Sequence, residues 1–180
     1  MISKIKIEKF DQNKHSLKEI TDLLHDAYSI HLKNGLEFWA TKQDAQYTLE
    51  RFKKGIGLIA VKSDEIIGTI TYYDTCDNNG CTWYKKENVC RFGQFAVKTC
   101  FQKYGIGQLL IDSVIDIAHK NGKTELSLDT SEKAIKLVEY YVKKGFRKID
   151  YMQWHDVNYR SIILSKAIVS NPPNYKQSKA

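Results

Sequence analysis

Gln102-Lys103-Tyr104-Gly105-Ile106-Gly107-Gln108 places two glycines at a turn between a strand-like segment, Phe92 to Val97, and an apolar stretch with helical spacing. Glycines at such a turn let backbone amides come close to a phosphate, because no side chain blocks the approach. The helix start that follows adds unpaired N–H groups and the positive end of a dipole. The stretch therefore reads as a pyrophosphate cradle, and a pyrophosphate implies a nucleotide-like ligand. Lys103 adds a charge at the phosphates in this reading, and is a solvated turn lysine in the plainer one. A Rossmann dinucleotide turn needs a third glycine where Leu110 stands, and a Walker A loop needs Gly-Lys-Ser/Thr, which is missing.

The elements that must position this turn follow from periodicity and punctuation. Residues 2–10 alternate as a first strand. Ser16 caps a helix predicted to run to about Tyr28, with Glu19 at the capping-box position. Residues 29–41 read as less regular, and 44–54 as a second helix ended near Gly55. Strands are predicted over 57–62 and 66–73, joined by Ser63-Asp64-Glu65, with Gly68 marking a bulge. A polar loop, 74–88, leads to a fourth strand over 90–97. The helix after the glycine turn reaches about Lys120 and stops at Asn121-Gly122. A fifth strand spans 125–129, a helix 133–144 ends at Gly145, and two last strands cover 148–154 and 159–167. This order predicts an α/β (α+β) fold: a mixed, mostly antiparallel central sheet of about seven strands, flanked by helices on both faces. A single domain over 1–169 and a flexible tail over 170–180 are expected.

Composition narrows the function classes. The 180 residues carry a formal net charge of +7, with Lys and Arg scattered along the chain. That suits a mildly basic surface, or attraction of a polyanionic cofactor, better than a nucleic-acid stripe. No apolar run is long enough to span a membrane, and the N-terminus alternates rather than forming a signal peptide, so a cytoplasmic location is expected. The four cysteines, Cys76, Cys81, Cys90 and Cys100, have no Cys-x-x-Cys spacing, which argues against zinc. Free thiols are expected, with a Cys76–Cys81 bridge left open.

The chain resembles the GNAT superfamily, the Gcn5-related N-acetyltransferases that use acetyl-CoA. The family motif Gln/Arg-x-x-Gly-x-Gly/Ala is met by Gln102, Gly105 and Gly107. Phe95-Ala96-Val97 precedes it like the family's Leu-Ala-Val strand end. Leu126-Ser127-Leu128-Asp129-Thr130 looks like the fifth strand, and Ala134 to Arg147 resembles the helix-to-Gly-Phe-Arg segment. The resemblance runs from Lys4 to about Ile168.

The resemblance implies that amides from Gln102 to Gln108, Tyr104 and Ile106 included, grip the CoA pyrophosphate without a metal. It implies that Phe95, Ala96 and Val97 pair with the pantetheine arm, and that the Val97 amide polarises the thioester carbonyl. Tyr141, four residues before Gly145, falls where the family often places a tyrosine general acid; Tyr140 is on another helix face. Ala134 stands where the family often carries an Asn. No carboxylate lies on the fourth strand, where Arg91 and Gln94 are the polar residues; Asp74, Asp129, Glu37 and His155 are the alternatives for a base, beside a water chain. The acceptor site is expected around Tyr28, His31, Glu37, Phe38 and Trp39, with Asp74 and the aromatics Tyr72, Tyr73, Trp83 and Tyr84 as another wall. Each of these residues also has an ordinary structural role open to it.

The expected function is an acetyl-CoA-dependent N-acetyltransferase acting on a primary amine of a small molecule or peptide. A non-catalytic acyl-CoA-binding domain and an interaction module of the same fold stay open, as does a homodimer through the C-terminal strands. No nucleic-acid or membrane partner is expected.

Overall fold

The computed structural model describes residues 5–74 and 80–168. Seven strands form one sheet: β1 (Lys6–Lys9), β2 (Ile56–Lys62), β3 (Glu65–Tyr73), β4 (Val89–Val97), β5 (Glu125–Ser131), β6 (Arg147–Met152) and β7 (Ser161–Ala167). Their spatial order is β1-β2-β3-β4-β5-β7-β6. Every neighbouring pair is antiparallel except β4 and β5, which run parallel. The expected mixed, mostly antiparallel sheet is therefore present. The last described strand, β7, inserts between β5 and β6, so the β6–β7 hairpin closes against the strand that follows the glycine turn's helix.

Four helices cover it: α1 (Leu17–Lys33), α2 (Ala45–Lys53), α3 (Ile106–Lys120) and α4 (Ile135–Lys143). Ile20, Leu23 and Leu24 of α1 and Phe52 of α2 pack on one face, against Ile59, Val61 and Ile66. Ile106, Leu110, Ile111 and Val114 of α3 and Val138 and Tyr141 of α4 pack on the other, against Ile67, Phe92, Leu126 and Leu128. Ser16 caps α1 by accepting from the Glu19 amide, and Asp44 caps α2 by accepting from the Tyr47 amide.

Helix α1 runs to Lys33, beyond the expected end at Tyr28. Ile30 and Leu32 are exposed and break the apolar stripe, yet no breaker appears until Asn34-Gly35, where Gly35 takes φ +73°. The irregularity beside Gly68 is present: Ala60 pairs with Gly68 but Val61 with Ile66, leaving Ile67 as the extra residue. Met1–Lys4, Cys76 and the expected tail over 170–180 lie outside the described residues. Cys81, Cys90 and Cys100 are free thiols. Among the described residues no helix is long and apolar enough to cross a membrane, and no cluster of His, Cys, Asp and Glu is suited to a metal.

Candidate functional site

Two irregularities in β4 create the site. The first is a bulge. Thr69 pairs with Ala96 but Thr71 with Gly93, and Gln94 takes a left-handed φ of +46°. The extra residue shifts the strand's alternation, so Phe92 and Phe95 both join the core under α3 and α4. Gln94 and Ala96 instead face α1 and α2. A bulky polar residue tolerates this backbone because it is tied down: Gln94 donates to the Thr48 carbonyl and the Thr71 hydroxyl and accepts from Gln43 Nε2 at 2.8 Å.

The second is a split in the sheet. β4 and β5 are paired only at Val89–Glu125, Cys90–Leu126 and Arg91–Ser127. Beyond Arg91 the two strands part, and the rest of β4 has a free edge toward β5. The Lys98 amide donates to Ile67 across β3, which makes Gly68–Val97 the non-hydrogen-bonded kind of antiparallel pair. The N–H and C=O of Val97 therefore point away from β3, into the split. Gln102 Nε2 donates to that carbonyl at 3.1 Å, folding the glycine turn back onto the strand end.

The glycine turn sits at the mouth of the split. Gly105 caps α3 with φ +82°, a conformation costly for a side-chain-bearing residue, and no side chain caps the first amides of the helix. Gly107 has a different reason to be glycine. A Cβ there would lie 3.1 Å from the Phe95 ring and 3.1 Å from the Tyr140 hydroxyl. Strand end, helix start and α4 thus converge on one point.

A cleft of about 920 Å³ opens here. Phe95, Ala96 and Val97 form its floor; Gln102, Lys103, Gly105, Gly107 and Gln108 form one side; α4 and the C-terminal half of α1 close it. Tyr28, from α1, donates its hydroxyl to the Phe95 carbonyl at 3.0 Å. Burial pushes its pKa up to about 12, opposed by Arg51 and reinforced by Asp129. Tyr141 is buried against Phe92, Phe95 and Phe146, and burial holds its pKa well above the usual phenol value, with Tyr28, Tyr140 and Asp129 adding to the effect. The phenol is therefore a proton donor rather than a base at neutral pH. Lys103, Lys133, Lys136 and Lys144 line the cleft, and no described Asp or Glu does. Its field favours a polyanion.

Eleven of the residues expected from sequence to act in the site line this cleft: Tyr28, His31, Phe95, Ala96, Val97, Gln102, Lys103, Gly105, Gly107, Gln108 and Tyr141, with Ala134, at the family's Asn position, beside them. His31 lies against Tyr28 and Phe38, and burial lowers its pKa. Tyr104 points to solvent and Ile106 into the core, so only their backbone is placed to contribute. Three others are elsewhere. Trp39 stacks on Tyr47 at 5.0 Å and carries Lys42 over its ring. Glu37 is exposed near Lys42, and its amide is held by Asn158. Asp74 follows β3 at the opposite end of that strand from Gly68, where it accepts from the Tyr72 hydroxyl at 2.6 Å and from Asn121. That hydrogen bond, with Asn121 and Lys123, lowers its pKa.

Sequence reading passed over Lys133, Lys136, Lys144 and Tyr140 as site residues. Tyr140 lines the cleft with its hydroxyl near Gly107, and Lys144 lies over its ring at 5.6 Å. The available signal was the i, i+4 spacing of Tyr140 and Lys144 on one helix face. Asp129 faces away from α3 and α4. It accepts from the Tyr84 hydroxyl at 3.2 Å and from Trp154 Nε1 at 3.0 Å, with Arg91 at 3.9 Å.

Solved structures of other proteins share this architecture. A protein of Pyrococcus horikoshii OT3 matches over 91% of this chain and 98% of its own, at 24% identity and TM-score 0.71. A GNAT family acetyltransferase from Elizabethkingia anophelis, solved with acetyl-CoA bound, matches over 91% and 97% at 20% identity and TM-score 0.64. The ribosomal-protein-S18-alanine N-acetyltransferase of Escherichia coli matches over 95% and 98% at 14% identity and TM-score 0.67. At these identities the likeness is one of fold. No curated protein matches the sequence. The sequence model of the acetyltransferase (GNAT) family, however, matches residues 17–146, which span α1 through the Gly145-Phe146 turn and hold both β4 irregularities and the glycine turn. The chain belongs to the acetyltransferase (GNAT) family.

Proposed function

We propose that this protein is an acetyl-CoA-dependent N-acetyltransferase that acetylates a primary amine of a small molecule or peptide. The observation that carries the reading is the meeting, in one acid-free cleft, of the free Val97 edge, the uncapped amides of α3 and the Tyr141 phenol. The residues fit the group. Of the amides from Gln102 to Gln108, those of Gln102 and Gln108 already donate to Thr99 and Gly105, so the amides from Lys103 to Gly107 would bind the pyrophosphate at the helix start, with Lys103 and Lys144 adding charge. The Val97 N–H, which β3 leaves unpaired at the strand edge, would orient the extended pantetheine arm beside Phe95–Val97. Bound there, acetyl-CoA supplies an acyl group already activated as a thioester. The Val97 N–H is the donor for the carbonyl oxygen as charge develops on it. Tyr141 Oη holds a proton for the departing sulfur, and its apolar surroundings exclude water. Three free thiols suit a reducing, cytoplasmic setting.

That no described carboxylate lines the cleft favours a second reading, a non-catalytic acyl-CoA binder. Two measurements test them in turn. Acetyl-CoA at about 100 times its Kd stabilises a native-state binder by about 2.7 kcal/mol, so an unchanged Tm at millimolar acetyl-CoA sinks both readings. Thiol release with a panel of amines then distinguishes enzyme from binder.

A further inference from the structure

On the face of the split covered by α1 and α2, three charged side chains meet around Gly93. Arg91 and Asp129 face each other at 3.9 Å, and the Asp129 carboxylate is also engaged by Tyr84 and Trp154. Arg51, from α2, is the remaining charge. Its Nε lies 3.3 Å from the Tyr73 hydroxyl and its Nη1 3.5 Å from Gln43 Oε1, both long contacts to neutral atoms. Among the described residues no carboxylate pairs with it, although it is partly buried. A partly buried cation without a counter-charge is costly, and a guanidinium presents a planar fork that matches a carboxylate.

The backbone beneath it is shaped for this group. A Cβ on Gly93 would lie 2.8 Å from Arg51 Nη2 and 3.3 Å from the Tyr73 ring. Glycine at this position of β4 is what leaves room for the Nη2 end of the guanidinium against the strand. Arg91 lies over the same Tyr73 ring, 4.6 Å from its centroid. Arg51 and Asp129 both act electrostatically on Tyr28, whose hydroxyl holds the Phe95 carbonyl.

We infer that this face takes an acceptor amine that also carries a carboxylate, with the Arg51 guanidinium as the carboxylate's partner. The word acceptor rests on the acetyl-transfer reading above; the carboxylate rests on Arg51 and Gly93 alone. Gly93 is two residues from Phe95 and four from Val97; four extended residues would span about 13 Å, and the bulge at Gln94 shortens that path. The carboxylate and the amine of the ligand are therefore several bonds apart, as in an ω-amino acid or a short peptide.

The test compares 6-aminohexanoate, hexylamine and 1,6-diaminohexane by calorimetric titration into the protein saturated with CoA. The expected result is 6-aminohexanoate binding at least tenfold tighter than hexylamine. Arg51→Gln brings the two within threefold, while Arg51→Lys keeps part of the preference. Equal binding, tighter binding of the diamine, no saturable binding of the acid, or a preference that survives Arg51→Gln overturns the inference. The CoA-dependent rise in Tm reports whether each variant folds. Should Arg51→Gln fail to fold, Gly93→Ala displaces the same guanidinium and serves for the same comparison. Acetyl transfer is followed separately: selective binding without transfer removes the transferase reading and leaves the carboxylate site standing. If CoA does not bind, the same titrations run on the free protein.

Discussion

The Tyr28 hydroxyl and the Phe95 carbonyl, 67 residues apart in sequence, are joined at 3.0 Å across the α1 side of the split. This bond ties α1, the longer of the two described helices on that face, to the bulged end of β4. It holds Phe95 where the strand has left its parallel partner, and so fixes the floor of the cleft from behind.

Tyr28→Phe tests that tie. Removing the hydroxyl leaves a half-buried carbonyl without its partner, which costs about 1–3 kcal/mol. Urea unfolding is expected to show a loss in that range, accompanied by weaker acetyl-CoA binding. An unchanged midpoint with unchanged affinity would mean that water takes over the bond and that α1 does not position β4.

Gly107→Ala separates fold from ligand. Alanine is the better helix former by about 1 kcal/mol, so the folded state is expected to lose little. The added Cβ, however, meets the Phe95 ring and the Tyr140 hydroxyl at 3.1 Å. Acetyl-CoA affinity is expected to fall tenfold or more while the Tm of the free protein stays within a few degrees. Equal affinity for the two proteins removes Gly107 from the binding surface.

Tyr141→Phe probes the proton donor. A thiolate is a fair leaving group, so the expected loss in kcat is about tenfold to a hundredfold, with KM for acetyl-CoA little changed. Because burial holds the Tyr141 pKa above the ordinary phenol value, the wild-type rate is expected to show no alkaline fall from this group below pH ~10. A fall centred near pH 9 that disappears in Tyr141→Phe would assign the phenol a different environment.

Tyr28, Tyr72, Tyr141 and Tyr159 all have pKa values raised chiefly by burial. The sign of the linkage follows. Their folded-state values exceed the unfolded value of ~10, so the stability they contribute is complete below pH ~10 and is lost as pH rises through the folded values. Absorbance at 295 nm is expected to show these phenolates appearing late and together with loss of structure. Gradual ionisation of all eleven tyrosines near pH 10 with the fold intact is the contrary result.

The legible part of this molecule was what repeats or punctuates. Helix and strand order, the Ser16 cap and the glycine turn follow from local spacing, and their structure is as expected. The end of α1 was misplaced because Ile30 and Leu32 turn apolar surface to solvent, so periodicity failed before the helix did. The bulge at Gln94 left no local mark: its left-handed backbone is held by Gln43, Thr48 and Thr71, residues 51, 46 and 23 positions away. The positive lining was equally hidden, since Lys133 and Lys144 read as ordinary exposed lysines until α4 is folded across the glycine turn. Asp74 and Trp39 were plausible by position in the chain, but strand direction carries Asp74 to the far end of β3, and Tyr47 draws Trp39 onto α2.

The parting of β4 from β5 also has a mechanical meaning. Three rungs, Val89–Glu125, Cys90–Leu126 and Arg91–Ser127, are all the strand pairing that joins the β1–β4 half of the sheet to the β5–β7 half. The two halves are plates meeting at a short hinge, with a wedge-shaped gap between them. Aromatic packing of Phe92, Phe95, Tyr141 and Phe146 sets the opening angle from one side. Whatever fills the wedge is then a structural member as much as a guest: it braces the plates apart and supplies the rungs that the hinge leaves out.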